Sequence, residues 1–349
     1  MNAAELTRDA RLPVSARKIR PPFTLDPALC LYSPQENVEA LTHPLIADWL
    51  AYVRDSWTPT PVPGADRGRI AVLLPCTKYK PYVTSREHRG INTALRAAGW
   101  APSGGPVPAE LEGCLADGED ASLLDVSPLV RDGWVLDRFV VSEPLALVPY
   151  EHSFTWRGAQ SPATSYDDPG LFESRGTSVT PYRADSTATR SPNGTWKWGP
   201  AEREAYADMH NALVEVLAAT LRRLAPAYAG VAAWVSPGLT HISFLADKER
   251  RKADGLPSAR KGVSGDKPLV GVLDLLPGAL TLMPTRAQLT AATVALTARL
   301  AAQGRPSGPG SVRSVFARGD GRDTPLALPE TLAHLVGWID TATRKAATP

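Results

Sequence analysis

Cysteine is scarce in this sequence: Cys30, Cys76 and Cys114 are the only three in 349 residues. Three thiols are too few and too scattered for a disulfide framework or a zinc site to be expected, so no metal is expected. No apolar run reaches about 18 residues, which excludes a membrane-spanning helix. The N-terminus carries Glu5, Arg8, Asp9 and Arg11, with no apolar segment of secretory type behind them, so the expected compartment is the cytoplasm. Charge of one sign is also missing. Lys+Arg 38 against Asp+Glu 36 gives a net charge of +2, and that balance removes any global electrostatic case for a nucleic-acid partner. No internal repeat is present. What remains is an ordinary globular composition, 43% hydrophobic and 21% charged, on a chain long enough for one large domain or two ordinary ones.

Residues 1–32 are polar and punctuated by proline, and read as a mobile arm or an extended wrap. Residues 44–57 show an apolar helical face (Leu45, Trp49, Leu50, Val53), and residues 58–67 a proline-rich linker. Buried strands are expected at 70–74, 134–141 and 230–235, with further candidates at 242–245 and 269–276. Helices are expected at 86–98, 202–224, 285–303 and 329–343, and a short one at 122–130. Residues 154–200 have no usable periodicity. Residues 248–261 read as a basic loop, more simply solvated than phosphate-binding. The order strand-helix-strand-helix-strand argues a three-layer α/β domain over about 41–265. Residues 1–40 precede it as the arm, and 266–349 complete it or are appended to it.

The richest stretch is residues 69–88, RIAVLLPCTKYKPYVTSREH. Its apolar half reads as a strand buried on both faces. Pro75-Cys76 ends that strand, polar residues follow, and a helical pattern begins at Arg86. The polar motif therefore lies between a strand's carboxyl end and a helix N-terminus, where open α/β sheets bind ligands. A second apolar strand, ending at Ser142-Glu143-Pro144, repeats the arrangement.

The spacing Pro75-Cys76, three residues, Lys80-Pro81-Tyr82, two residues, Ser85, two residues, His88 resembles the signature of the archaeosine synthase core domain. The segment 141–151, VSEPLALVPYE, is similar to that family's Ser-x-Pro-Leu-Gly-x-Val-Pro-x-Glu stretch, departing at Ala146, where glycine is usual. Tyr166-Asp167 is a weaker echo. The resemblance spans roughly residues 42–247. It implies a small, mostly parallel sheet flanked by helices, similar to uracil-DNA glycosylases. It also implies an enzyme that joins an amine, by resemblance lysine, to the nitrile of 7-cyano-7-deazaguanine (preQ0), giving an amidine without ATP or another cofactor. The full-length archaeal enzymes also carry a transglycosylase-like domain and an RNA-binding domain, for which no length is expected here. The substrate is therefore open between tRNA, DNA, a nucleoside and a free base. A radical S-adenosylmethionine enzyme is a possible partner, as in related systems.

A nitrile is a weak electrophile that a thiolate attacks. Cys76, ahead of a helix and near Lys78, Lys80 and His88, is the candidate nucleophile, with a lowered pKa expected. Lys80 or His88 would deliver a proton to the developing nitrogen anion. Pro75, Tyr82, Ser85, Ser142, Glu143, Glu151, Tyr166 and Asp167 are candidate substrate-binding residues. Plainer readings stand beside these: Cys76 as a small buried hydrophobe, Lys80 as a solvated charge, Tyr82 as a core aromatic and His88 as a first-turn helix residue pairing with Glu87 or solvent; His241, near a third strand end, reads as a satisfied surface histidine. Two other functions compete. A glycosylase-like hydrolase of N-glycosidic bonds would need an activating carboxylate but not Cys76. A non-catalytic binder of modified nucleic acid would bind with strong salt dependence and no turnover.

Overall fold

The computed structural model describes residues 6–237, 240–316 and 326–346. The first helices are α1 (Arg8–Ala16), α2 (Pro34–Ala40) and α3 (Pro44–Ala51), the last continuing into a wide turn at Tyr52–Ser56. Strand β1 (Gly68–Pro75) follows, then α4 (Arg86–Ala97). Next come β2 (Ala101–Pro102), β3 (Leu129–Arg131), β4 (Trp134–Ser142) and β5 (Ala146–Pro149). Two short ribbons, β6 (Thr155–Trp156) with β7 (Ala159–Gln160) and β8 (Thr189–Arg190) with β9 (Trp196–Lys197), occupy the aperiodic segment.

The long helix α5 (Pro200–Leu224) leads into β10 (Gly230–Trp234). Beyond it lie α6 (Thr240–Leu245), α7 (Lys248–Ala253), the ribbon β11 (Ala259–Lys261) with β12 (Asp266–Pro268), α8 (Val272–Leu275) and β13 (Thr281–Met283). Helices α9 (Arg286–Ala302), α10 (Pro309–Phe316) and α11 (Pro329–Ala346) end the fold.

The main sheet runs β13-β10-β1-β4-β3-β2, with β5 also on β4. Four consecutive strands, from β13 at one edge to β4, are parallel, and β2, β3 and β5 add antiparallel pairs. The fold is therefore α/β with a mixed, mostly parallel sheet. Strand β1 holds the middle, with Ile70 opposite Gly230 on one side and Leu136 on the other. Its residues 70–74 are all buried, as a run without polar alternation requires between two covered faces. The β3–β4 hairpin closes on Asp132-Gly133, both at positive φ (51° and 77°), the backbone demanded by a tight two-residue turn. Helices α4, α9 and α11 form one packed group, with α11 meeting β1; α2, α5, α6 and α8 form another around α5. Among the described residues no helix is long and apolar enough to cross a membrane.

Four local expectations are corrected. Residues 242–245 are helical in α6, not a strand. Ile242, Phe244 and Leu245 are all buried there, and so short an apolar run does not distinguish the two states. Residues 269–276 hold α8, whose start is fixed by the Asp274 carboxylate accepting from the Gly271 and Lys248 amides at 2.8 Å each. Residues 248–261 are α7 and β11 rather than a loop. Arg250, Arg251 and Arg260 are paired there to Asp254, Asp274 and Glu173. Residues 122–130 form a 3-10 turn (Ala121–Leu124) followed by β3.

The described part of the first forty residues wraps the domain. Arg11 donates to the Val179 carbonyl at 2.9 Å and stacks 4.0 Å from the Tyr32 ring. Ile19 bridges Lys80, and Cys30 bridges Asp167. The segment thus reaches both loops that carry the candidate site.

Candidate active site

Three adjacent parallel strands, β10, β1 and β4, end on the same edge of the sheet. The chain leaving each one supplies one group. Cys76 follows β1, Glu143 follows β4, and His241 arrives on α6 after β10. His241 Nε2 lies 3.1 Å from Cys76 Sγ and 3.9 Å from Glu143 Oε2. One ligand atom from each residue falls within 4.8 Å of the others. Glu143 is buried, and its Oε1 has no hydrogen-bond partner among the described residues.

Lys80 is also buried, only 2% exposed, with Nζ 4.3 Å from the centre of the Tyr166 ring. Its backbone is fixed on both sides, donating to the Lys18 carbonyl at 3.0 Å and accepting from the Arg20 amide at 2.8 Å. The peptides Lys80-Pro81 and Glu143-Pro144 are both cis.

A hydroxyl cluster lines the space beside the thiol. Tyr82 Oη donates to Ser142 Oγ at 3.2 Å and lies 3.0 Å from Tyr166 Oη, which itself hydrogen-bonds Ser142 Oγ. All three residues are buried. Burial pushes the Tyr82 and Tyr166 phenols upward, so both remain neutral donors.

The electrostatics reverse one expectation. The Cys76 thiol is raised well above its ordinary value, not lowered. The residue keeps part of its surface open, but the atoms crowding the sulfur desolvate the thiolate, and the Glu143 and Asp168 charges add to the penalty. Lys80 and a Ser142 hydrogen bond act the other way without prevailing. His241 is lowered, first by burial and further by Lys80, with Glu143 opposing. The resting pair is therefore a thiol beside a neutral imidazole. Asp168, which sequence reading passed over, is raised by burial and by the Glu143 charge.

His88 lies in the fold rather than at the sulfur. Its Nε2 meets the Pro75 carbonyl at 2.9 Å and its Nδ1 meets Tyr150 Oη at 3.0 Å. It thereby anchors the strand end that presents Cys76. Ser85 caps α4, accepting from the His88 amide at 3.1 Å. Burial brings the His88 pKa down to about 4 and that of His210, bonded to the Val270 carbonyl at 2.8 Å, down to about 3.

Unfolded histidine titrates near 6.5, so the unfolded chain takes up these protons first as pH falls. Stability is full above about pH 6.5 and declines toward the folded values. At pH 5 the loss is about 2 kcal/mol per histidine. Urea denaturation at pH 7 and pH 5 measures it, and a His210→Gln variant is expected to lose about 2 kcal/mol less than the native chain between the two.

The remaining candidates divide. Asp167 Oδ2 pairs with Lys18 Nζ at 2.5 Å, and its backbone binds that of Leu29 and Leu31, tying down the N-terminal wrap. Glu151 accepts from Trp57 Nε1 at 3.1 Å and Thr60 Oγ1 at 2.9 Å. It follows β5, which runs back from the Ser142–Ala146 pair to the Phe139–Pro149 pair, so it is carried away from the sulfur by about three residues of strand, roughly 10 Å.

A cleft of about 510 Å³ opens beside α6, lined by Leu171, Phe172, Tyr206, Ser243, Arg260 and neighbouring residues. Ser243 is two residues beyond His241. The Tyr206 phenol, pushed up to about 12 by burial, also feels the Glu143 charge. The lining of the cleft does not include Cys76, Glu143 or His241 themselves.

The residues missed from sequence are His241 and Asp168. His241 carried one usable signal, its place after a third buried strand. Asp168 stood beside the candidate Asp167. No family model matches the chain, and comparison with characterised proteins and with solved structures finds no match either.

Proposed function

We propose that the chain adds an amine to the nitrile of a 7-cyano-7-deazaguanine unit through a covalent Cys76 thioimidate. The observation that carries the chemistry is the 3.1 Å approach of His241 Nε2 to Cys76 Sγ at the strand ends. The nitrile itself comes from the sequence resemblance. The fold reading that accompanies it is a three-layer, uracil-DNA-glycosylase-like domain in a cytoplasmic enzyme, supported by the mostly parallel sheet with polar residues gathered at its carboxyl edge.

His241 takes the thiol proton as sulfur attacks the nitrile carbon, and Glu143 steadies the imidazolium so formed. The imidazolium returns the proton to the nitrile nitrogen, giving a neutral thioimidate. An amine then adds to that carbon, the C–S bond breaks, and the amine's proton returns to the sulfur. No hydrolysis of ATP is required, because the thioimidate is already an activated acyl-like carbon. Tyr82, Ser142 and Tyr166 offer hydroxyls to the heterocycle. The 510 Å³ cleft beside Ser243 is the approach assigned to the amine, by resemblance lysine. The polymer state of the substrate sets the further partners, including any radical S-adenosylmethionine enzyme acting on the product.

Intact-protein mass spectrometry with the free nitrile base tests the reading. The expected result is a gain equal to the whole base, located on the peptide containing Cys76, absent in Cys76→Ala and discharged by lysine. No adduct on base, nucleoside or nitrile-bearing tRNA would overturn it. Release of base from modified nucleic acid by Cys76→Ala would favour the glycosidase alternative.

A further inference from the structure

Cys76, Glu143 and His241 offer one sulfur, one oxygen and one nitrogen from three separate strand ends, all within 4.8 Å. That is the donor set of an open tetrahedral zinc centre: three protein ligands and one vacant position. With Zn–S near 2.3 Å and Zn–N and Zn–O near 2.0–2.2 Å, the ligand atoms of a tetrahedron stand about 3.4–3.6 Å apart. The observed nitrogen–sulfur and nitrogen–oxygen separations, 3.1 and 3.9 Å, bracket that edge. The independent observation is on Glu143. Its carboxylate is buried beside this cluster with Oε1 unpartnered among the described residues, a costly state for an acceptor and one that a cation relieves.

We infer that these three residues bind a single divalent ion of the zinc class, and that its occupancy masks the Cys76 thiol. Charge supports the assignment. A thiolate and a carboxylate neutralise a dication, which leaves Lys80 to face Asp168. Binding displaces the Cys76 proton to solvent and turns the sulfur from a nucleophile into a ligand. The site itself does not depend on the thioimidate chemistry; only the inhibitory consequence rests on that reading.

Cobalt(II) is the probe, titrated into the full chain after removal of metals with a chelator. The expected result is one equivalent bound per chain, with a thiolate-to-cobalt charge-transfer band and the intense visible bands of tetrahedral cobalt, both bleached by zinc. Cys76→Ser should remove the charge-transfer band, while Cys30→Ser and Cys114→Ser retain it. His241→Gln and Glu143→Gln should each weaken uptake at least about tenfold, with circular dichroism confirming that each variant is folded. Absence of the band in the wild type, or its survival in Cys76→Ser, would overturn the site. Zinc-loaded protein is expected to form no nitrile adduct until chelator is added. Cobalt binding without any adduct from metal-free protein would reject the thioimidate reading and leave the metal site standing. Adduct formation without cobalt binding would do the reverse.

Discussion

Replacing His241 with glutamine is expected to slow formation of the Cys76 adduct by about 10²–10⁴-fold, the usual contribution of a positioned general base. The argument starts from the sulfur. Burial and the neighbouring carboxylates hold Cys76 in its protonated form, so a nucleophile must be generated at the moment of attack. His241 Nε2, 3.1 Å away, can receive that proton. Its own burial keeps the ring neutral and free to accept. Glutamine keeps the volume and polarity but cannot take up a proton. The variant should therefore gain rate steadily as pH rises, because hydroxide must now make the thiolate, whereas the native rate should depend less on pH. Mass gain followed in time, with chelator present, measures both. His88→Gln is the contrast. It removes the bonds to the Pro75 carbonyl and Tyr150, so its cost should fall more on stability than on the proton transfer.

Arg138→Ala is expected to destabilise the fold by about 3–5 kcal/mol, the range for truncating a large buried side chain and leaving its buried acceptors unpaired. Arg138 sits in the middle of β4, only 3% exposed. Its guanidinium donates to Asn92 Oδ1 at 2.7 Å and to the carbonyls of Asp125 and Ser127 at 3.0 and 2.7 Å. It also lies 4.2 Å from the centre of the Tyr150 ring. The substitution leaves three buried acceptors without donors and opens a cavity beside that ring. Lysine does not restore the arrangement, because one ammonium cannot reproduce a planar fork over three acceptors. Urea denaturation of both variants measures the loss. Tyr150 holds His88, and His88 holds the strand end below Cys76. The Arg138 variant should therefore also lose adduct rate in whatever fraction remains folded.

How far the sequence disclosed this molecule depended on what each residue had to satisfy locally. Strands 70–74, 134–141 and 230–235 could be read because a strand covered on both faces leaves no room for polar alternation. The long helices showed their period and their stops. Short apolar segments failed in both directions. Residues 242–245 satisfy a strand pattern as well as a helical one, and residues 248–261 looked loop-like because Arg251 and Arg260 are neutralised by Asp274 and Glu173, which lie outside the segment. The site divides in the same way. Cys76, Lys80 and Glu143 stood out through motif and strand-end position. His241 did not, because its meaning comes from the sheet order, which seats the strand before it beside β1. Ala146 is instructive. It stands where glycine is usual in the resembling family, and the structure holds it at φ 56°, a conformation that glycine adopts without cost and alanine with strain.

The N-terminal wrap has a consequence for the order in which the molecule is built. Lys18 is synthesised well before its partner Asp167, and Ile19 well before Lys80. Each of these contacts closes a long stretch of chain, so each repays its closure entropy only after the intervening sheet exists. Residues 6–40 are therefore expected to dock late, onto a core assembled from later sequence. The Lys80 and Asp167 loops receive their final brace at that step. The bracing of the site is thus expected to come late in folding, drawn from segments far apart in the sequence rather than inherited from any one of them.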